Sequence, residues 1–199
     1  MTRARGLWAW AAVLAVSGGG AHAMTYPYIV EADTGGLNES CYSETGTWSR
    51  SSSHSTASGL TAEIGSRYTI TAGNTATFRL NADFTGDGFG ASTMDCEVFV
   101  TWFETANLSW PTKFTVTSND PVATFYLNQN LVGHDVWYSL GTFTFSQNQD
   151  YYVTIESVMD TSFVDARADA AMWVPIPEPV SIAFAAIGGL AMLRRRRRA

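Results

Sequence analysis

The sequence predicts an all-β domain, specifically a two-sheet antiparallel β-sandwich of jelly-roll-like type. Short runs rich in Thr, Val, Phe, Tyr and Ile alternate with polar residues; in Val98-Phe99-Val100-Thr101-Trp102, every second side chain faces the same way. Gly, Asn and Asp separate these runs, and between the two ends of the chain no window has a convincing helical period. Many short strands joined by turns are typical of two packed sheets.

The first 23 residues have the three parts of a secretory signal peptide. Arg3 and Arg5 form the charged region, Leu7–Val16 forms the apolar region, and Ala21-His22-Ala23 is a cleavage site. A permanent N-terminal membrane helix is the weaker alternative, because the apolar run is short. We therefore predict export through the Sec translocon, cleavage by signal peptidase, and a mature chain that begins at Met24.

The mature domain, residues 24–174, is strongly acidic. The chain has 12 basic and 18 acidic residues, but seven arginines and Glu178 lie in the two ends, which leaves a net charge of −12 between residues 24 and 176. Nucleic acid is therefore not an expected partner, because phosphate binding needs a basic patch. A polyanionic polysaccharide would also be repelled unless a divalent cation bridges it to the protein.

Eight strands are predicted within this domain. They are Tyr68–Thr71, Ala76–Ala82, Glu97–Phe103, Lys113–Thr117, Ala123–Leu127, Trp137–Phe145, Tyr151–Ser157 and Ala170–Val174. The Ser-, Thr- and Gly-rich residues 43–59 predict a long surface loop.

The domain has two cysteines, Cys41 and Cys96. An exported chain with an even number of cysteines predicts one disulfide bond. Metal ligation is the alternative, but no histidine lies near either cysteine in the sequence.

The aromatic residues are the best candidates for contact with a ligand. Trp48, Trp110 and Trp137 fall at or near predicted loops, where a flat ring covers the apolar face of a sugar; Trp102 is predicted to be core. The alternative is that these tryptophans also fill the core.

Asp165 and Arg167, near the last strand, are candidates for hydrogen bonds to sugar hydroxyls. The alternative is that they satisfy turn backbone and each other.

A calcium site is a further possibility, and no other cofactor is expected. Asp83, Thr85 and Asp87 resemble the first half of a calcium loop, but Met94 stands where the bidentate acid is expected. A plain turn is the alternative.

Catalysis has little support. The domain contains no G-x-S-x-G and no H-E-x-x-H motif, and its histidines, His54 and His134, lie in predicted loops. His134-Asp135 with a serine, or a pair of carboxylates, are the catalytic alternatives. We predict that the chain is not an enzyme.

The C-terminal residues 175–199 have three parts. Pro177-Glu178-Pro179 is followed by the apolar run Val180–Leu193 and by Arg194, Arg195, Arg196, Arg197 and Arg198. The prolines end the folded part, the apolar run predicts a short transmembrane helix, and the arginines favour a cytoplasmic end. The run of 14 residues spans about 21 Å as a helix, less than the roughly 30 Å of a bilayer core.

This arrangement resembles a PEP-CTERM sorting signal of Gram-negative, exopolysaccharide-producing bacteria. The resemblance implies recognition by exosortase, transient anchoring in the inner membrane and release to the cell surface or extracellular matrix. An ordinary C-terminal tail anchor is the alternative.

The domain itself resembles the golvesin and xanthan-lyase type, a carbohydrate-binding-like β-sandwich. The resemblance rests on an ordered set of motifs: Thr45-Gly46-Thr47-Trp48, then Cys96-Glu97-Val98-Phe99-Val100-Thr101-Trp102, then Trp137-Tyr138-Ser139-Leu140-Gly141-Thr142-Phe143-Thr144-Phe145, and last Asp165-Ala166. It implies a non-catalytic module that binds polysaccharide. A structural matrix protein without specific sugar binding, or a polysaccharide-degrading enzyme, are the alternatives.

Overall fold

The computed structural model describes residues 27–62, 64–80, 93–158 and 165–176. The predicted signal peptide, the possible calcium residues Asp83, Thr85 and Asp87, and the sorting signal from Pro177 onward lie outside these ranges. Within them, no helix is long and apolar enough to cross a bilayer.

The described residues form β-strands and one short 3₁₀ turn at Glu39–Cys41. The strands are β1 Tyr28–Glu31, β2 Tyr42–Thr45, β3 Ser49–Ser51, β4 Ser66–Thr69, β5 Thr75–Leu80, β6 Thr93–Thr101, β7 Thr112–Val116, β8 Ala123–Leu127, β9 Tyr138–Ser146, β10 Tyr151–Ser157, β11 Ala166–Ala168 and β12 Ala170–Pro175. Each of the predicted strands overlaps one of them, which confirms the all-β class.

The strands form three antiparallel sheets. Sheet A has the order β1-β12-β6-β9, sheet B the order β2-β5-β10-β7-β8, and sheet C the order β11-β4-β3. The small sheet C differs from the predicted two-sheet arrangement. It arises because Asp169 separates β11 from β12, so the chain passes from sheet C into sheet A at this residue. The Asp169 carbonyl accepts a hydrogen bond from the Ala32 amide at 2.7 Å, which holds the junction against β1.

Sheets A and B face each other across one apolar core. Alternate residues of β5 and β10 point inward, and the core cluster draws on both sheets. Its fully buried large members include Val98, Val100, Phe145 and Trp173 of sheet A, Phe78, Phe114, Val116 and Ile155 of sheet B, and Trp102 just after β6. Trp102 is therefore core, as predicted. Burial of each such side chain stabilises the fold by about 1.5–3 kcal/mol.

The prediction of a surface loop over residues 43–59 is only partly right: most of the segment is exposed and residues 52–59 form no strand, but the rest departs from it. The segment contains β3 and most of β2, and Ser55 is only 1% exposed. The Ser55 hydroxyl lies 2.7 Å from that of Thr101, and its amide donates to the Asp169 carboxylate at 2.5 Å. Short hydroxyl side chains bond to neighbouring groups and allow close packing, so Ser55 can be buried here although most of the segment is exposed.

The two cysteines do not form the predicted disulfide in this structure; both are free and buried. The sulfur of Cys41 lies 3.4 Å from the Tyr28 hydroxyl. Cys96 lies within β6, in register with Phe143 of β9 and Pro175 of β12. Burial, with a smaller contribution from the charge of Asp95, raises the pKa of the Cys96 thiol to about 12.

Candidate functional site

Two long loops meet at one end of the sandwich. Residues 102–111 connect β6 to β7, and residues 128–137 connect β8 to β9. They are brought together because β6 pairs with β9, with Val100 opposite Tyr138. An isolated parallel bridge between Trp102 and His134 continues this contact beyond the strands. We call residues 102–111 and 128–137 the loop face.

Gln129 anchors the loop face to sheet C. Its side chain is fully buried and bonds to both backbone groups of Arg167, accepting from the amide at 3.0 Å and donating to the carbonyl at 2.8 Å. Its own carbonyl accepts a hydrogen bond from the Trp102 indole at 2.9 Å. The side chain thus makes the two backbone hydrogen bonds to Arg167 that a neighbouring strand would otherwise make. A buried amide satisfied on both sides holds the loop in one conformation.

A second set of hydrogen bonds fixes the segment that leads to Trp110. The Asn130 side chain bonds to both the amide and the carbonyl of Leu108, at 3.2 and 2.6 Å. On the other side, the Ser109 amide donates to the Asp165 carbonyl at 2.8 Å, and the Asp165 amide donates to the Asn107 carbonyl at 2.7 Å. The backbone before Trp110 is therefore held between two other segments.

Both of these anchored loops carry exposed apolar side chains. Trp110 is 54% exposed, although tryptophan is usually largely buried. Leu131 and Val136 are 73% and 58% exposed. A rigid backbone that presents an uncovered indole ring is suited to stacking on the apolar face of a flat ligand.

Comparison with known proteins assigns the domain to a family. The family profile described as the Golvesin C-terminal domain matches residues 37–174. The chain belongs to this family. The Golvesin-type domain therefore occupies most of the described part of the chain and includes the whole loop face.

Several solved structures are similar to this Golvesin-type domain. A xanthan lyase from Paenibacillus has a TM-score of 0.59 and 20% sequence identity, over 77% of this chain and 13% of the lyase. A GH26-CBM35 β-(1,4)-mannanase from Podospora anserina matches with a TM-score of 0.46 and 14% identity, over 78% of this chain and 29% of that chain. The CBM36-1 domain of a multidomain xylanase from the hindgut metagenome of Trinervitermes trinervoides matches with a TM-score of 0.42 and 12% identity, over 77% of this chain and 100% of that chain. The likeness to the xanthan lyase, at 20% identity, shows a shared fold alone. Among curated protein sequences, no match was found.

The three tryptophans proposed for ligand contact have different environments in the Golvesin-type domain. Trp48 is 7% exposed and belongs to the core cluster, so the core alternative holds for it. Trp137 is half-buried against the outer face of sheet A, where its indole donates to the Ser58 carbonyl at 2.9 Å. Only Trp110, of these three, presents most of its ring to solvent.

Asp165 and Arg167 form an ion pair with each other, 3.5 Å apart, as the alternative interpretation expects. The guanidinium is buried, with its carbon 5.3 Å from the centre of the Tyr68 ring and 5.8 Å from that of Phe103. Burial raises the pKa of the Asp165 carboxyl, and the nearby Arg167 charge opposes this effect. The buried, ion-paired guanidinium therefore favours the alternative interpretation, in which Arg167 stabilises the fold.

The sequence did not reveal a cluster of ionisable groups on the loop face, formed by Glu104, His134 and Asp135. Their potential ligand atoms all lie within 4.8 Å of one another. The adjacent pair His134-Asp135 is visible in the sequence, but Glu104 is brought beside it only by the bridge between Trp102 and His134.

Proposed function

We propose that this Golvesin-type domain is a non-catalytic module that binds polysaccharide through the loop face, with Trp110 as the stacking residue. The observation that carries this proposal is the exposure of more than half of a tryptophan on a backbone fixed from two sides. An indole that is held in place loses little conformational freedom when a sugar ring stacks on it.

The family and the fold support this function. A domain of this fold occurs within a xanthan lyase, whose name refers to a polysaccharide. The net charge of −12 for residues 24–176 favours neutral or weakly charged polysaccharides over bare polyanions.

The function is tested by affinity electrophoresis of wild-type and Trp110→Ala proteins in gels that contain xylan, galactomannan or β-glucan. We expect at least one of these polysaccharides to retard the wild type. Loss of the ring should weaken binding at least tenfold, equivalent to about 1.4 kcal/mol. The melting temperature should stay nearly unchanged, because the ring is mostly exposed.

Val122→Ala is the matched control. Val122 is 63% exposed and lies just before β8, at the opposite end of the strand from the loop face. This variant should bind like the wild type. If Trp110→Ala binds every glycan as well as the wild type does, the assignment of Trp110 is wrong. If the wild type itself is never retarded, the structural-matrix alternative replaces the binding function.

We further propose that the protein is exported and sorted by exosortase to the cell surface or matrix. The support comes from the leader 1–23 and from the ordered tail that begins at Pro177-Glu178-Pro179. Replacement of Pro177 and Glu178 by alanine should leave an uncleaved protein in the inner membrane. Normal amounts of a protein of normal mature size at the surface would exclude this route.

A further inference from the structure

Glu104, His134 and Asp135 combine ligand types that bind transition metals. One imidazole and two carboxylates offer one nitrogen and several oxygens within 4.8 Å of one another. His134 Nδ1 lies 3.3 Å from Glu104 Oε2. Glycan stacking on Trp110 does not use any of these groups.

The backbone holds Asp135 in an unusual conformation that directs its side chain into this cluster. Asp135 has a φ of 56°, in the left-handed region that few non-glycine residues adopt. Its amide donates to the Trp102 carbonyl at 2.8 Å. Strained backbone of this kind persists only where surrounding contacts fix it, and it concentrates at functional sites.

Two backbone amides donate hydrogen bonds to the Asp135 carboxylate and so hold it in place. One oxygen accepts from the Thr56 amide at 2.9 Å, and the other lies 3.4 Å from the Glu104 amide. Each carboxylate oxygen has a further lone pair that remains available to an ion. Outer contacts that hold ligands in place are a regular feature of metal sites.

Gly133 supports the same geometry from the other side. It has a φ of 74°, and a Cβ at this position would lie 2.4 Å from the ring of Trp102. The absence of a side chain therefore lets residues 133–135 approach β6 closely enough to bring His134 beside Glu104.

One ligand–ligand distance in the cluster agrees with zinc-type coordination. Bonds of 2.0–2.1 Å place neighbouring ligands of a tetrahedral ion about 3.3–3.4 Å apart, which matches the 3.3 Å between His134 Nδ1 and Glu104 Oε2. Calcium and magnesium prefer all-oxygen sites, whereas imidazole with carboxylates favours Zn²⁺ and its neighbours in the transition series. The Glu104 side chain is 66% exposed, so it can rotate to complete the site.

We propose that Glu104, His134 and Asp135 bind one divalent transition-metal ion of the zinc class, with the fourth coordination position open to solvent. Three protein ligands with an open position leave room for water or for an oxygen of a bound molecule. The site lies on the loop face but does not depend on glycan binding.

The proposal is tested with the full chain and zinc alone, by equilibrium dialysis at neutral pH. We expect one ion per chain, bound with a dissociation constant in the micromolar range or tighter. His134→Ala and Glu104→Gln should each weaken binding at least tenfold. Both side chains are partly exposed, so these variants should fold, and their melting temperatures without metal check this.

His54→Ala is the control for histidine content and should bind like the wild type. With Co²⁺ in place of Zn²⁺, the wild type should show the visible absorption of a tetrahedral site, and His134→Ala should not. Zinc should also raise the melting temperature of the wild type and of His54→Ala but not that of His134→Ala, because an ion that binds the folded state stabilises it. Binding that survives His134→Ala, or that appears only at millimolar zinc, would overturn the proposal.

Trp110→Ala separates this proposal from the glycan-binding function. It should keep full zinc affinity while losing glycan retention. A protein that binds zinc but no glycan would support the metal site alone, and the reverse result would overturn the metal site alone.

Discussion

At the scale of single residues, burial distinguishes Trp102 from Trp110. Trp102 is completely buried; its indole bonds to the Gln129 carbonyl, and its ring packs 5.5 Å from that of Phe114. Trp110 is more than half exposed. The same residue type therefore stabilises the fold at one position and is available to a ligand at the other.

Trp102→Ala should lower the free energy of unfolding by about 3–5 kcal/mol, as is usual when a large buried ring is removed. Trp110→Ala should change it by less than about 1 kcal/mol. Urea unfolding monitored by circular dichroism measures both. Equal losses in the two variants would contradict the burial that separates them.

Asp169 should make the stability depend on pH. Burial raises the pKa of its carboxyl to about 7, despite the hydrogen bond from the Ser55 amide, which lowers it. The folded state therefore holds a proton that the unfolded state releases near pH 4. This contribution to the free energy of unfolding is complete below pH 4. As the pH rises from 4 to about 7, the contribution falls by at most about 1.4 kcal/mol per pH unit.

Asp169→Asn should reduce this dependence, because the amide stays neutral and still accepts from Ser55. Urea unfolding at several pH values between 4 and 8 should give a flatter profile than the wild type, with higher stability at pH 8. Asp150→Asn, at an exposed position, serves as the control. If the free energy of unfolding has the same pH dependence in the wild type and in Asp169→Asn, the pKa of the Asp169 carboxyl is not raised in the folded state.

At the scale of elements, Gln129 joins the loop face to β11 through hydrogen bonds that a strand would otherwise supply. Gln129→Met keeps the length of the side chain but leaves the buried backbone groups of Arg167 without these bonds. We expect a loss of about 2–4 kcal/mol, since each unpaired buried group costs about 1–3 kcal/mol.

Hydrogen exchange of the Arg167 amide provides the local measurement. Its protection should fall in Gln129→Met more than that of amides within β10. Gln149→Met, at an exposed position, should leave both exchange and stability unchanged. Unchanged protection at Arg167 would mean that the loop face is anchored by other contacts.

Several strands that the sequence predicted have a clear alternation of inward and outward residues, such as β5 and β10. The missed strands are short, with three or four residues each. β1 is buried on both faces and ends in Glu31, a buried carboxylate that accepts hydrogen bonds from Thr61 and Leu37. β2 and β3 consist largely of serine and charged residues, and β11 has only three residues, one of them the buried Arg167.

The loop face was predictable only in part. Trp110 was a candidate because it falls at or near a predicted loop. The burial of Trp48 was not predictable, because its loop packs against sheet C and accepts a hydrogen bond from Arg67. The cluster of Glu104 with His134 and Asp135 depends on a contact between residues about 30 positions apart, and local patterns carry no information about such a contact.

At the scale of the whole molecule, the interior keeps its cysteines away from solvent. The thiolate is the reactive form, and burial disfavours it strongly at Cys96. The native protein should therefore resist alkylation by iodoacetamide at pH 8. In denaturant without reductant, two thiols per chain should react, as mass spectrometry will show. Recovery of unlabelled cysteines that react only after reduction would reveal a bond between Cys41 and Cys96.

The position of β12 has a mechanical consequence. Tyr28 pairs with Trp173, so residues 28 and 176 lie near the same end of sheet A, whereas Ala170 pairs with Thr101 at the end that carries the loop face. These two ends are separated by the length of β12, about 20 Å for six residues at 3.3 Å each. A pull between residue 176 and a molecule held by the loop face therefore runs along β12, which lies between β1 and β6. The hydrogen bonds between β12 and β6 are then loaded in shear and share the force, instead of opening one after another.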